Sequence, residues 1–306
     1  MTQRFDALVV GGGPAGLAGA LYLARFRRSV LVVDAGNSRA SWIPRSHNIA
    51  GFAGGIAGDR LLEVMRQQVL DVGGRIVKAR VETLQAEEGG FVAQVDATSA
   101  LHDLHDRIHA RTVLLATGAL DVEPSMPDLD QALDRGALRY CPVCDGYEAA
   151  GQQVGVLCNS AAGATEALYL RHFTPHLQVF VTSAGIDFAP EQLAQLAAAG
   201  IRLNAEPVQR LRLADGKVQL THGGRRTTCD SVYSALGIEV HSQLAATLGA
   251  ELDADGYVTT DRHQHTRVDG LFCAGDVAKG LNQISVGIGA AALAASAMHL
   301  RLAGRR

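Results

Sequence analysis

The sequence predicts an α/β protein made of two tandem Rossmann-like nucleotide-binding domains, each a three-layer ββα unit. Three observations point there. The 306 residues exceed what one ordinary core fills. A strand, a glycine-rich turn, a helix and a second strand follow one another at the N-terminus, and the same plan returns after Gly151. Apolar residues make up 47% and charged residues 19% of the chain, so burial can outweigh the entropy of ordering it.

Taken in order, residues 5–10 are a β-rich run, 15–25 have helix-forming composition without a breaker, and 30–33 are β-branched, ending on Asp34. Together they predict one βαβ unit. Residues 54–73 read as a helix, 75–95 as the strands of a meander, and 113–115 as a buried strand closed by Ala116, Thr117 and Gly118. In the second plan, residues 154–157, 164–173 and 179–181 read as strand, helix and strand. The tail offers a strand at 271–273 and an apolar helix at 284–300. With no long linker to separate units, we expect a discontinuous first domain at 1–118 and 241–306, and a second at 119–240.

Charge and cysteine usage exclude several classes. A net charge of −3 leaves no footprint for nucleic acid or an anionic membrane. Five cysteines, an odd number with a single close pair, do not make a disulfide scaffold. They suit a reducing compartment in which one Cys-x-x-Cys does chemistry. The apolar run at 7–10 stops at Gly11, too short for a secretory core. The helix at 284–300 owes its apolarity largely to Ala and Gly and ends near His299 and Arg301, which predicts a buried helix rather than a membrane span. Cytoplasmic localisation is expected.

Gly11-Gly12-Gly13-Pro14-Ala15-Gly16 carries G-x-G-x-x-G directly after a strand and at the start of a helix. Gly11 allows the tight turn, Gly13 lets backbone approach a pyrophosphate, and Gly16 lets helix and strand pack closely. The helix N-terminus adds N–H donors and partial positive charge, and Asp34 can accept from ribose hydroxyls. The pattern alone is common; with strand, helix and acid in place it reads as a dinucleotide site. Leu115-Ala116-Thr117-Gly118 resembles the strand end of flavoprotein disulfide reductases, and Thr266 through Asp276, reading TRVDGLFCAGD, resembles their second FAD fingerprint. That resemblance implies FAD, with Asp276 at the ribityl chain and Gly275 among the cofactor-binding residues. The following helix, starting near Gln283 and Ile284, would direct its dipole at the isoalloxazine.

Cys141-Pro142-Val143-Cys144-Asp145-Gly146 is the chemical centre. A Cys-x-x-Cys can close a small disulfide ring, and thiolate stabilisation sets which sulfur attacks and which leaves. Half of a zinc site is the blander reading, but Cys158, Cys229 and Cys273 are scattered singly, and no metal is expected. With this core, the glycine loop, the run His47-Asn48-Ile49-Ala50-Gly51-Phe52 and the closing Ala-Gly-Asp, the chain resembles the low-molecular-weight thioredoxin reductases over essentially its whole length. The resemblance implies that Cys144 faces the flavin and forms an adduct with it. It makes Cys141 the interchange thiol and Asp145 the acid/base, and places Asn48 among the FAD residues. It also implies a homodimer and a thioredoxin-like protein or small dithiol or disulfide as substrate.

The second plan departs from that family. Where the family reads G-x-G-x-x-A for NADPH, this chain reads Cys158-Asn159-Ser160-Ala161-Ala162-Gly163. Ser160 puts a Cβ where a pyrophosphate needs bare backbone. The His-Arg-Arg run that would pair the 2′-phosphate is Thr182-Ser183-Ala184 here. NADPH use is therefore not expected, and the donor or acceptor stays open among ferredoxin, oxygen and another flavin, with a second flavin or other ligand in the vacated site. Relatives with this lesion include dithiol oxidases, which usually carry His after the motif; this chain keeps Asp145, so the direction of electron flow is open. The first function expected is an FAD-dependent disulfide/dithiol oxidoreductase working through Cys141 and Cys144 without NADPH. Its rivals are a conventional NAD(P)H-dependent thioredoxin-disulfide reductase and a flavin-holding redox sensor without turnover.

Other features receive plain readings. His102, His105 and His109, interleaved with Asp103 and Asp106, read as a solvated face rather than a metal site. His263 and His265 read as sharing one face of a strand, Trp42 and Tyr147 as core or interface aromatics, and Cys158, Cys229 and Cys273 as small buried hydrophobes.

Overall fold

The computed structural model describes residues 4–96 and 106–304. The first stretch holds β1 (Arg4–Val10), α1 (Pro14–Arg25), β2 (Val30–Asp34), α2 (Gly58–Asp71), β3 (Arg75–Lys78), β4 (Val81–Glu87), β5 (Gly90–Val95), β6 (Arg107–Leu115) and β7 (Ala119–Asp121). The middle stretch holds α3 (Leu129–Asp134), β8 (Leu138–Arg139), α4 (Pro142–Asp145), β9 (Val154–Cys158), α5 (Ala162–Leu170), β10 (Leu177–Val181), α6 (Pro190–Ala198), β11 (Arg202–Asn204), β12 (Val208–Ala214), β13 (Lys217–His222), β14 (Arg225–Cys229) and β15 (Ser231–Ala235). The last holds β16 (Ile238–Val240), α7 (Gln243–Thr247), β17 (Leu271–Cys273) and α8 (Ile284–Leu302).

These elements divide into two compact units: Met1–Ser41, Ala57–Leu120 and Glu239–Arg306 form one, Trp42–Ile56 and Asp121–Ile238 the other. The segment Trp42–Ile56, which the sequence boundary had left with the first domain, groups with the second. It closes on itself: Ser46 and Ile56 exchange backbone hydrogen bonds at 2.9 and 2.8 Å, and Arg45 donates to the carbonyls of Gly54 and Gly55. This turn also delays the following helix, which begins at Gly58 rather than at 54.

The first unit is built on a seven-stranded sheet in the order β3-β2-β1-β6-β5-β4, with β17 also paired to β6. β6 can serve three neighbours because its length is shared: residues from Arg107 to Ala110 pair with β5, and Val113 to Leu115 pair with β17. Central strands β1 and β2 are near-continuous apolar runs buried on both faces, as a parallel sheet under helices requires. α1 packs against α8. α8 is long and apolar enough to cross a membrane by length and composition, at mean hydropathy 1.3. Its buried positions Gly287, Ala291, Ala294, Ala295 and Met298 recur at helical spacing along one face.

The second unit contains an all-parallel sheet in the order β11-β10-β9-β15-β8 and an antiparallel sheet β12-β13-β14. Both large sheets thus follow the α/β, Rossmann-like plan. His263 and His265 do not lie on a strand. The Asp261 carboxylate accepts both of their amides, and Gln264 between them takes φ +64°, so the run folds into a turn. His102, His105 and Asp103 lie outside the described residues; His109 sits on β6, 2.9 Å from Glu87 Oε1.

One buried acid in the second unit sets a pH response. Glu166 on α5 has an Oε1 without a hydrogen-bond partner, and burial, with Asp121 adding to it, pushes its carboxyl up from 4.5 to about 7. The fold prefers the neutral acid, so this contribution is intact below about pH 4.5 and is lost as pH rises through about 7. Glu166→Gln should leave the melting temperature almost unchanged near pH 5 and stabilise by about 1–2 kcal/mol near pH 8. Thermal melts at the two pH values measure this, and an equal effect at both contradicts it.

Candidate active site

The expected dinucleotide residues of the first unit converge because β1, β2, β6 and β17 are parallel and end on the same edge of the sheet. Gly11 takes φ +108°, and a Cβ there would stand 2.3 Å from the Ala116 carbonyl oxygen. A Cβ on Gly16 would stand 1.9 Å from the Gly11 carbonyl oxygen, so the helix can come this close to the strand end only with glycine at 16. Pro14 occupies the first helical position of α1, where its missing N–H costs nothing. Gly13 precedes it without a side-chain cap, and the first turn carries no acid. A Cβ on Gly13 would meet only Ser38 Oγ, at 3.2 Å. Bare backbone and uncapped amides at a helix N-terminus fit a pyrophosphate.

Around this loop the remaining residues are held by partners that the sequence did not announce. Asp34 is buried at the end of β2; it accepts from the Gly36 amide at 2.9 Å and from Arg66 at 3.1 Å. Thr117 Oγ1 donates to the His241 carbonyl at 2.6 Å, and the His241 amide donates to the Gly118 carbonyl at 3.0 Å. Gly275, at φ +80°, faces Ala15 of α1, and Asp276 pairs with Arg39 at 3.2 Å. Gln283 caps α8 in an extended conformation, Ile284 starts the helix, and Gly287 in its first turn lies against Gly275 and Ala15. The first turns of α1 and α8 and the loop after β17 therefore share one place. Asn48, whose Oδ1 accepts from Ser46 Oγ at 2.9 Å, belongs to the second unit.

In the second unit Cys141 and Cys144 form a disulfide just beyond the edge strand β8. Cys141 is the N-cap of the single-turn helix α4, and the Cys144 amide donates to its carbonyl at 2.9 Å and its sulfur at 3.2 Å. Both cysteines are half-buried, which leaves the pair within reach of a thiol. Asp145, in the same turn, is enclosed by Arg139 and Tyr233: Tyr233 Oη lies 2.8 Å from its Oδ1, and Arg139 Nη1 donates to its carbonyl at 2.9 Å. Burial raises the Asp145 carboxyl above the ordinary value of 3.8, while the Arg139 charge and the Tyr233 hydrogen bond act against that rise. Arg139 had a sequence cue, a cation two residues before the first cysteine. Tyr233 had none, because only the β8–β15 register sets it opposite Arg139.

The loop after β9 differs from the loop after β1. Cys158 is the last residue of β9 and is fully buried. A Cβ on Gly163 would stand 2.2 Å from the Cys158 Cβ and 2.7 Å from its sulfur. The side chain of Cys158 thus fills the space that the Gly11 turn leaves to backbone, and glycine at 163 makes room for it. Asn159 Nδ2 donates to the Leu236 carbonyl at 2.8 Å, and Gln192 Nε2 to the Ala161 carbonyl at 3.3 Å. Thr182, Ser183 and Ala184 follow β10 and bring no cation. Burial pushes the Cys158 thiol up to about 11 and that of Cys229 to about 12, so neither is a nucleophile near neutral pH. Tyr147, expected in a core or interface, is 81% exposed.

The profile of the pyridine nucleotide-disulphide oxidoreductases matches residues 5–292. The thioredoxin reductase of Treponema pallidum (strain Nichols) is 28% identical over 309 positions, covering 97% of this chain and 97% of that protein. The crystal structure of an oxidoreductase from Agrobacterium tumefaciens, 27% identical, superposes with a TM-score of 0.84 over 99% of this chain and 100% of that one. Thioredoxin reductase from Streptococcus pyogenes MGAS5005, 24% identical, shares the fold at a TM-score of 0.88 over 99% and 100% of the two chains. Because the family match runs from β1 into α8, the chain belongs to the pyridine nucleotide-disulphide oxidoreductases, and within them to the flavoprotein disulfide oxidoreductases of thioredoxin reductase type.

Proposed function

We propose that this enzyme moves electrons between FAD and a substrate dithiol or disulfide through Cys141 and Cys144, without NADPH. One observation carries the reading: the first glycine loop keeps the bare backbone a pyrophosphate needs, whereas the second carries side chains, Cys158 and Ser160, at the matching positions. FAD would be held by the amides of Gly13, Ala15 and Gly16 beside the turn that Gly11 makes, by Asp34 at the ribose, and by Thr117, Gly118, Gly275 and Asp276 along the remainder. The α8 N-terminus at Gln283 and Ile284 would face the flavin ring. When bound, the flavin supplies a two-electron acceptor or donor to the dithiol.

The protein's own chemistry balances in two displacements. A substrate thiolate attacks the Cys141 sulfur, the Cys141–Cys144 bond breaks, and its electron pair stays on Cys144. The second substrate thiolate then attacks the substrate sulfur of the mixed disulfide, releasing Cys141 as thiolate. The substrate leaves as a disulfide, and two electrons remain on the cysteine pair. Asp145 holds and returns the protons that these thiols lose and regain. Reversing the sequence reduces a substrate disulfide. A thioredoxin-like protein fits this interchange, in line with the relatives' names, as does a small dithiol.

Three results are expected. The purified protein should be yellow, with about one FAD per chain. Gly13→Asp should be colourless yet melt like the apoprotein, because Gly13 has an ordinary φ of −76° and a Cβ there meets only Ser38 Oγ; a yellow variant contradicts this placement. Under anaerobic conditions dithiothreitol should bleach the flavin of the wild type, and Cys141→Ser and Cys144→Ser should each slow this at least about a hundredfold. Wild-type rates in both variants exclude the pair as redox centre. NADPH and NADH should not bleach the flavin at micromolar concentration. A lost charged hydrogen bond to phosphate costs about 1.5–3 kcal/mol, and the blocked loop adds to that, together about a hundredfold or more in affinity. Rapid bleaching by NADPH hands the case to the conventional reductase.

A further inference from the structure

Behind the Cys141–Cys144 disulfide lies a polar cluster that the family chemistry does not use. Tyr233, at the centre of β15, is fully buried, and a buried phenol requires partners for its hydroxyl. Its Oη lies 2.8 Å from Asp145 Oδ1 and 3.1 Å from the Asp145 carbonyl oxygen. Arg139, whose side chain is only 10% exposed, donates from Nη1 to that same carbonyl at 2.9 Å and to the phenol oxygen at 3.2 Å. Its Nε donates to the Gly136 carbonyl at 2.8 Å, and the guanidinium carbon stands 5.8 Å from the centre of the Tyr233 ring. A phenol has one proton. The contact to Oδ1 is the shorter of the two, and the proton goes there.

We propose that Tyr233 and Arg139 are positioning residues for Asp145, holding its carboxyl turned into the protein and setting how readily it exchanges a proton with the Cys141–Cys144 pair. The proposal rests on the reading of Asp145 as the acid/base. Two groups far apart in sequence, opposite each other in the β8–β15 register, converge on one residue: Tyr233 on the Asp145 carboxyl, and Arg139 on its main-chain carbonyl with Nε 3.9 Å from Oδ2, while Arg139 also donates to the phenol. A buried arginine is costly without such partners, so packing alone is a poor account of Arg139.

The charged and titratable groups facing Asp145 are Arg139 from β8, Tyr233 from β15 and Glu148 from the turn after α4; the segment after α5 presents the apolar ring of Phe173 against Gly146. Burial and Glu148 favour the neutral acid, whereas Arg139 and Tyr233 favour the carboxylate. Removing either positioning group therefore makes Asp145 keep its proton to higher pH.

The test is the pH dependence of Cys141–Cys144 reduction by dithiothreitol in the FAD-loaded protein. It is followed by flavin bleaching and, independently, by alkylating the released thiols and counting them by mass. The limb that disappears in Asp145→Asn is the Asp145 limb. Tyr233→Phe should move that limb up by about one pH unit, a tenfold change in proton affinity, and Arg139→Gln should move it the same way. In the Asp145→Asn background, Tyr233→Phe should shift nothing further. If Tyr233→Phe and Arg139→Gln lower the rate equally at every pH, or only lower the melting temperature, the two residues are structural and the proposal fails. If Asp145→Asn leaves every limb in place, the acid/base reading itself fails, and the proposal with it.

Discussion

A carbonyl oxygen 1.9 Å from the point where a Gly16 Cβ would stand is the constraint on which the first unit is organised. The close crossing of β1 and α1 brings the helix N-terminus onto the edge of the parallel sheet, where β2, β6 and β17 also end. Once helix and strand approach that far, the loop between them has no side chains to offer, and its amides become the available donors. Gly275 and Gly287 extend the same economy of space to α8, which settles against Ala15. The second unit makes the same crossing differently: Gly163 keeps the place on the helix that Gly16 has in the first unit, and a buried thiol, Cys158, stands where Gly11 is. That exchange preserves the packing of strand on helix.

The division of labour between the units follows from these two crossings. In our reading one unit binds the flavin, and the other has become a carrier for a disulfide. The carrier has a polar interior suited to that task. Tyr233, Arg139 and Asp145 satisfy one another beneath α4, and burial, the strongest influence on Asp145, keeps its carboxyl above the ordinary range. The disulfide itself stays half-buried and in reach of a substrate thiol.

Much of this was legible in the sequence because it depends on local rules. The Gly11–Gly16 loop, the strand at Leu271–Cys273 and the apolar helix from Ile284 are fixed by glycine spacing, β-branching and the absence of breakers, and the structure has them within a few residues. Elements that depend on tertiary pairing were not legible. Arg66 on Asp34, Arg39 on Asp276 and His241 at Thr117 are each brought in by sheet and helix packing across long stretches of chain. The turn at His263–His265 was misread as a strand because alternation of histidines mimics period two, while the competing signal was a single Asp261 carboxylate gathering nearby amides. The grouping of Trp42–Ile56 with the second unit was equally hidden, since a loop closed by its own backbone pairing carries no periodicity.

The central claim is that the second crossing cannot accept a dinucleotide pyrophosphate. Its most direct measurement is calorimetric titration of NADPH into the oxidised, FAD-loaded protein, where binding is read without any electron transfer. The account predicts no saturable binding tighter than about millimolar, near the low end of specific affinity. Saturable binding of one NADPH per chain at micromolar concentration would contradict it.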